Sequence, residues 1–201
     1  MIFFKENIKQ VKPATKAALV DLLKKGRVLV LPTDTIYGFS CLATKPAAIK
    51  EIYRLKQKIS HKPLILLVAS LAMLKRYTFV SPAQEKLLKK IWLKKRPTTI
   101  ILKGRGLLPA IAENKNFGLA CRLPKQKLLI KILKTIDQPL VSTSVNLSGQ
   151  APLADPQQIQ QFFKETKNQP AAVLDVGRNR HQKPSRLLDL RDPQNVIVIR
   201  D

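Results

Sequence analysis

The chain has 201 residues and is 45% hydrophobic, which supplies a real core and is too apolar for a disordered chain. Lys and Arg total 37 against 13 Asp and Glu, a net charge of +24, and such a field attracts polyanions: nucleic acid, nucleotides or an anionic membrane face. The two cysteines and two histidines, Cys41, Cys121, His61 and His181, lie far apart in sequence, so they form no zinc-type spacing.

At roughly 150 residues per domain the length predicts one domain, residues 1–201. The apolar stretch in the opening "MIFFKENIKQ" is too short for a signal peptide. Residues 15–25 put Ala18, Leu19, Leu22 and Leu23 on one helical face, with Gly26 as a stop. "RVLVL" (27–31) reads as a strand covered on both faces. Helical spacing returns over 46–57 through Ile49, Ile52, Tyr53 and Leu55. "PLILLVA" (63–69) is another buried strand, and Ser70 can cap a short helix. Extended to Leu74, this apolar run still falls well short of the ~20 residues that span a bilayer.

"SPAQ" (81–84) has a Ser cap, Pro at the first position and Gln three residues on, predicting a helix to about Leu93. "TTIIL", "GLACRL" and "PLVSTS" read as strands, with a helix over about 126–135 between the last two. Asp155 and Pro156 start another helix. "AAVLDV", "RLLDL" and "NVIVI" close the chain as strands. The alternation predicts an α/β fold with a largely buried mixed sheet, in a soluble cytoplasmic protein with reduced, partly buried thiols.

Three stretches carry chemistry. "PTDTIYG" (32–38) stands just beyond a strand, where α/β sheets place ligands; it reads equally as a capped turn. "RLKQKISHKPL" (54–64) gathers Arg54, Lys56, Lys58, His61 and Lys62, a cradle for polyphosphate or a solvated helix end. "VSTSVNLSG" (141–149) brings Ser142, Thr143, Ser144, Asn146 and Ser148, suited to phosphate or ribose, or a plain polar loop. No P-loop, dinucleotide fingerprint or convincing Ser/His/Asp arrangement is present.

In order, "PTDTIYG", "LKQK…KPL", "GLACRLP" and "STSVNLSG" form the motif series of the YrdC family of threonylcarbamoyl-AMP synthases. The sequence resembles that family from about residue 11 to about residue 190. Its most specific element is the S-x-N of Ser144 and Asn146, and "KPSRLLDLRD" resembles the short single-domain branch.

The resemblance implies a twisted α/β sheet with flanking helices around a concave basic cavity. It implies synthesis of L-threonylcarbamoyl-adenylate from L-threonine, bicarbonate or CO2 and ATP, with Mg2+ accompanying the ATP. Pyrophosphate is released, and partner proteins pass the group to tRNA. Carried over onto this chain, Thr35, Tyr37, Lys62, Arg122, Thr143 and Ser185 serve the threonine. Lys56, Lys58, Thr99, Ser144 and Asn146 serve the nucleotide, and Lys56, Lys58, Ser144 and Asn146 carry the catalysis. Two departures stand out. The family's K-x-R is K-x-K here, so Lys58 acts as a point charge. The tryptophan-proline-glycine-proline stretch reads "WLKKRPTT" (92–99). A non-catalytic RNA-binding module on the same fold is the alternative, motivated by the +24 charge; the 5% aromatic content speaks against a base-stacking platform.

Overall fold

A computed structural model describes residues 1–57, 64–112, 118–179 and 183–201. Lys58, His61, Lys62 and His181 lie outside the described residues. The elements are β1 (Ile2–Lys5), α1 (Pro13–Lys24), β2 (Leu29–Leu31), β3 (Gly38–Leu42), α2 (Pro46–Leu55), β4 (Ile65–Leu67), α3 (Leu71–Tyr77), α4 (Pro82–Leu93) and β5 (Thr98–Lys103). A 3-10 turn (Ala110–Ala112), β6 (Gly118–Arg122), α5 (Lys127–Ile136), β7 (Leu140–Ser144), α6 (Pro156–Lys164), β8 (Ala172–Asp175), β9 (Arg186–Asp189) and β10 (Ile197–Arg200) follow.

The strands form one ten-stranded mixed sheet in the order β1-β8-β2-β3-β7-β4-β6-β5-β9-β10. The alternation of side chains gives its central strands two different faces. One face is core: Cys41, Val141, Leu66, Cys121 and Ile100 lie opposite one another across successive strands and are all buried. The other carries Ser40, Ser142, Ile65, Ala120 and Ile101, two serines and an alanine set among two isoleucines. Among the described residues, no helix is long and apolar enough to cross a membrane.

The starts of α3, α4 and α6 are where the sequence puts them, because their caps are local chemistry; α1 begins at Pro13, two residues before the expected 15. Ser81 and Gln84 close the reciprocal capping box of α4, Ser70 accepts from the Met73 amide, and Asp155 accepts from the Gln157 amide. At the end of α5, Asp137 adopts a left-handed φ of 55°. Arg76 holds that cap by donating to both of its carboxylate oxygens.

Two strands depart from the sequence reading. β1 was not expected; it pairs in parallel with β8, so its partner lies some 170 residues away and no local pattern marks it. β3 follows directly on "PTDTIY" and was not expected either. Leu31 pairs with Gly38, so residues 32–37 are the loop of an antiparallel hairpin.

Candidate active site

The hairpin loop 32–37 folds around one hydroxyl. Thr33 Oγ1 accepts from the amides of Thr35 (3.1 Å) and Ile36 (3.2 Å) and donates to the Ile36 carbonyl (2.6 Å). The Thr33 and Thr35 hydroxyls share a further hydrogen bond at 2.9 Å. Thr35 in turn accepts from Arg122 Nη1 at 3.1 Å. The polar turn that ends the β2 strand is therefore an internally bonded scaffold that presents Thr35 to the last residue of β6.

Arg122 is one of the few buried charges, its side chain only 4% exposed. Its Nη2 lies 3.2 Å from Asp34 Oδ1, an ion-pair distance, but off the hydrogen-bond direction, and its Nε has no hydrogen-bond partner among the described residues. The Lys125 amide holds the other Asp34 oxygen. Burial lowers the Arg122 pKa; Asp34 opposes this and Arg200 adds to it. Arginine starts so high that the group stays charged at neutral pH.

These residues line a cavity of about 480 Å3 on the Ser40–Ile101 face of the sheet. Its polar wall is Thr33, Thr35, Arg122, Ser142, Thr143, Ser144, Ser185 and Arg200; Ile36, Ile65, Ile101, Ala120, Leu187 and Ile199 form the apolar one. Gly38 stands beneath it, where a Cβ would come 2.7 Å from Ser142 Oγ. Among the described residues, two guanidinium groups and no carboxylate line the cavity. That combination binds anions by charge-assisted hydrogen bonds while offering an apolar surface beside them.

Of the residues singled out from sequence, Thr35, Arg122, Thr143, Ser144 and Ser185 line this cavity. Thr99 lies one bond behind it, 2.7 Å from Ser185 Oγ and fully buried. Tyr37 is also buried away from it. Its hydroxyl donates to the Gly177 carbonyl (2.8 Å) and accepts from the Val176 amide, fixing the strand exit that leads to Asn179, whose side chain reaches the Thr33 carbonyl. Burial pushes the Tyr37 phenol up to about 12, the Val176 amide working against it.

Lys56 is 4% exposed and does not line the cavity. Its ammonium donates to the carbonyls of Ser144 (2.7 Å) and Asn146 (3.2 Å) and to Asn146 Oδ1 (2.6 Å). Ser144 Oγ donates to the same Oδ1 at 2.6 Å, and Asn146 Nδ2 donates to the Leu147 and Gln150 carbonyls. The S-x-N segment is thus cinched around a buried lysine that sets the direction of Ser144. Lys58 and Lys62 lie outside the described residues.

Sequence reading missed Arg200, Asp34 and Gly38. Arg200 donates from Nε and Nη2 to the Ser185 carbonyl at 3.0 and 2.8 Å. It was one cation among many in a basic chain, and only its pairing beside Leu187 brings it to the cavity. Asp34 and Gly38 sit inside "PTDTIYG", so the stretch itself was the signal.

A family model named for Sua5, YciO and YrdC, and described as "Telomere recombination", matches residues 21–201. The threonylcarbamoyl-AMP synthase of Klebsiella pneumoniae is 30% identical over 176 residues, covering 86% of this chain and 90% of that one. The crystal structure of E. coli YciO superposes with a TM-score of 0.84 at 25% identity, covering 100% of this chain and 94% of the other. P. abyssi Sua5, crystallised with L-threonine, shares the fold at a TM-score of 0.84 and 21% identity, with 99% of this chain spanning 56% of that one.

Proposed function

The chain belongs to the Sua5/YciO/YrdC family, and on that premise we propose that it makes L-threonylcarbamoyl-adenylate from L-threonine, bicarbonate or CO2 and ATP, releasing pyrophosphate, for threonylcarbamoyladenosine modification of tRNA. The observation that carries the reading is the convergence of Thr35, Arg122, Thr143, Ser144 and Ser185 from separate chain segments on one cavity with cationic and apolar walls. The relative from Klebsiella pneumoniae is a synthase by name, and the Sua5 of the same fold is crystallised with threonine.

The chemistry suits the residue types. The threonine amine attacks CO2, forming a carbamate and releasing a proton. A carbamate oxygen then attacks the α-phosphorus of ATP, and the bond to the β-phosphate breaks. Positioning and charge neutralisation dominate such a reaction. Arg122 would meet the threonine carboxylate, with Thr35, Thr143 and Ser185 bonding around it, Lys62 beside them, and Tyr37 acting from behind by fixing the segment that leads to Asn179. Ser144 would meet the nucleotide and carbamate, held in direction by Asn146 and the buried Lys56, with Thr99 backing Ser185 and Lys58 supporting the phosphates. Among the described residues, no group of three or more His, Cys, Asp and Glu is placed to hold a metal ion. Magnesium would accompany the ATP, on its phosphates. We place the protein in the cytoplasm, where ATP and tRNA are, and assign transfer of the product to partner tRNA-modifying proteins.

A non-catalytic RNA-binding module on this fold is not favoured, because synthases account for relatives across nearly the whole chain. The test is pyrophosphate release from Mg-ATP with L-threonine and bicarbonate added singly and together. Release that requires both is the expected result. Release indifferent to threonine, or none at all, would overturn the reading.

A further inference from the structure

Lys125 joins two parts of the molecule that the sequence keeps apart. Its ammonium donates to the carbonyls of Trp92 (3.1 Å) and Lys94, at the C-terminal end of α4. A helix end leaves such carbonyls without an intrahelical partner, and a cation there also meets the negative end of the helix dipole. The backbone amide of the same residue donates to Asp34 Oδ2 at 3.2 Å. α4 is a firm anchor. The capping box of Ser81 and Gln84 closes its start, Gln84 Nε2 reaches the Leu190 carbonyl at 2.5 Å, and Leu88 is fully buried. Trp92 and Lys94 belong to "WLKKRPTT", the stretch in which this chain departs from the family pattern.

What Lys125 holds is the carboxylate beside Arg122. The Nε–Nη2 edge of a guanidinium and the two oxygens of a carboxylate make a planar fork, the strong pairing of these groups. Here the fork is not made. Asp34 Oδ1 lies 3.2 Å from Nη2, and neither Oδ1 nor Nε has a hydrogen-bond partner among the described residues, although both atoms are buried. Asp34 Oδ2, the oxygen that would complete the fork, is held by the Lys125 amide instead. Leaving two buried polar atoms unpaired costs free energy, so a restraint outside the pair keeps them apart.

We propose, resting on the function proposed above in which Arg122 meets the threonine carboxylate, that Lys125 is a positioning residue: it holds Asp34 back so that the guanidinium stays open to the substrate. Once the Lys125 side chain lets go of α4, Asp34 turns and forks onto Nε and Nη2. A guanidinium so paired has less charge and one edge fewer to offer a second carboxylate. Threonine then competes with an internal anion.

The test compares the wild type with K125M, K125R and K95M, the last removing the same charge from an exposed lysine of the neighbouring stretch. L-Threonine affinity is read by calorimetry without ATP, and KM and kcat by pyrophosphate release. K125M is expected to bind threonine about tenfold more weakly, the scale of one charge-assisted hydrogen bond, and to raise the KM for threonine with kcat little changed. K125R can still bond both carbonyls and is expected to restore most of the affinity, and K95M to match the wild type. In an Asp34→Asn background, K125M should weaken threonine binding no further, because the competing carboxylate is gone. Wild-type threonine affinity in K125M, or an equal loss in K95M, would overturn the proposal. So would a K125M that melts lower and loses kcat together with KM, the mark of a structural cap alone. The crystal structure of K125M needs no substrate: both Asp34 oxygens on Arg122 are expected, and an Asp34 still in its wild-type direction would overturn the restraint. A wild type that binds no threonine counts against the proposed function, and that structure then decides the restraint by itself.

Discussion

The Lys56 ammonium lies 2.6 Å from Oδ1 of Asn146, and the hydroxyl of Ser144 donates to that same oxygen at the same distance. With the carbonyls of Ser144 and Asn146, the three protons of Lys56 are met inside one loop. Lys56 therefore acts as a positioning residue for Ser144. Hydrogen bonds to a charged group contribute roughly 1.5–3 kcal/mol each. Lys56→Met is expected to lower kcat about a hundredfold, with a smaller change in the KM for ATP. In an Asn146→Ala background the same substitution should add little, since the two act as a unit. Full additivity in that double-mutant cycle would assign Lys56 a separate contact with substrate.

The Arg122 corner separates stability from binding. Asp34 faces a guanidinium that is 4% exposed and has no other carboxylate lining its cavity among the described residues. Asp34→Asn leaves that charge buried and unpaired, which destabilises by about 3–5 kcal/mol. Chemical denaturation should show it. Thr35→Ala removes one acceptor of Arg122 and leaves the carboxylate, so stability should change by less than about 1.5 kcal/mol. It should raise the threonine requirement about tenfold with ATP binding nearly intact. Equal loss for both substrates would make the hairpin loop purely structural.

Much of this was legible in the sequence where the determinants are local. Ser81 and Gln84, Ser70 and Asp155 announce their helices because a cap is a contact of two or three residues. The buried strands read as apolar runs. "PTDTIYG" and "STSVNLSG" each also read as a capped turn or polar loop, and it is their order along the chain, as a resemblance to the family, that marked them. What the chain did not reveal is what only the sheet creates. β1 depends on β8, and Arg200 reaches the cavity only because β10 lies beside β9. Nothing in "VIVIRD" distinguishes that arginine from the others of a chain at +24. Lys56 is a subtler case: the sequence singled it out, but not its direction, into the S-x-N loop and away from the cavity.

Gly38 tests how tightly the cavity floor is built. A Cβ there would meet Ser142 Oγ at 2.7 Å and the Thr143 carbonyl at 3.2 Å. The first contact is too short for any real Cβ and the second presses on strand backbone. Gly38→Ala should destabilise by about 1–3 kcal/mol through overpacking. It should also depress turnover, because β7 carries Thr143 and Ser144 into the cavity. Adding Ser142→Ala removes the worse contact and is expected to recover part of the stability. A Gly38→Ala variant of wild-type melting temperature would mean that β7 moves aside freely.

The buried thiols predict an alkaline limit. Cys41 and Cys121 are free and buried on the core face of the sheet. Burial pushes Cys121 up to about 12 and Cys41 higher still, from an ordinary value of 9. A folded pKa raised above the unfolded one means that the unfolded chain loses its protons first. The stabilisation is complete below about pH 9 and is lost as pH rises through the window from 9 to about 12. Tyr37, also raised to about 12, acts in the same direction from about pH 10. Lysine deprotonation relieves the repulsion of a strongly basic chain over the same range, so the raw curve mixes two effects. Comparing the wild type with Cys41→Ala/Cys121→Ala cancels the lysines. The double variant should lose melting temperature less steeply above pH 9, even though it begins lower from the volume it gives up. Native protein should leave a thiol reagent unreacted at pH 8, and both cysteines should react once guanidinium unfolds it. Parallel alkaline slopes in the two proteins would show that the thiols do not set the limit.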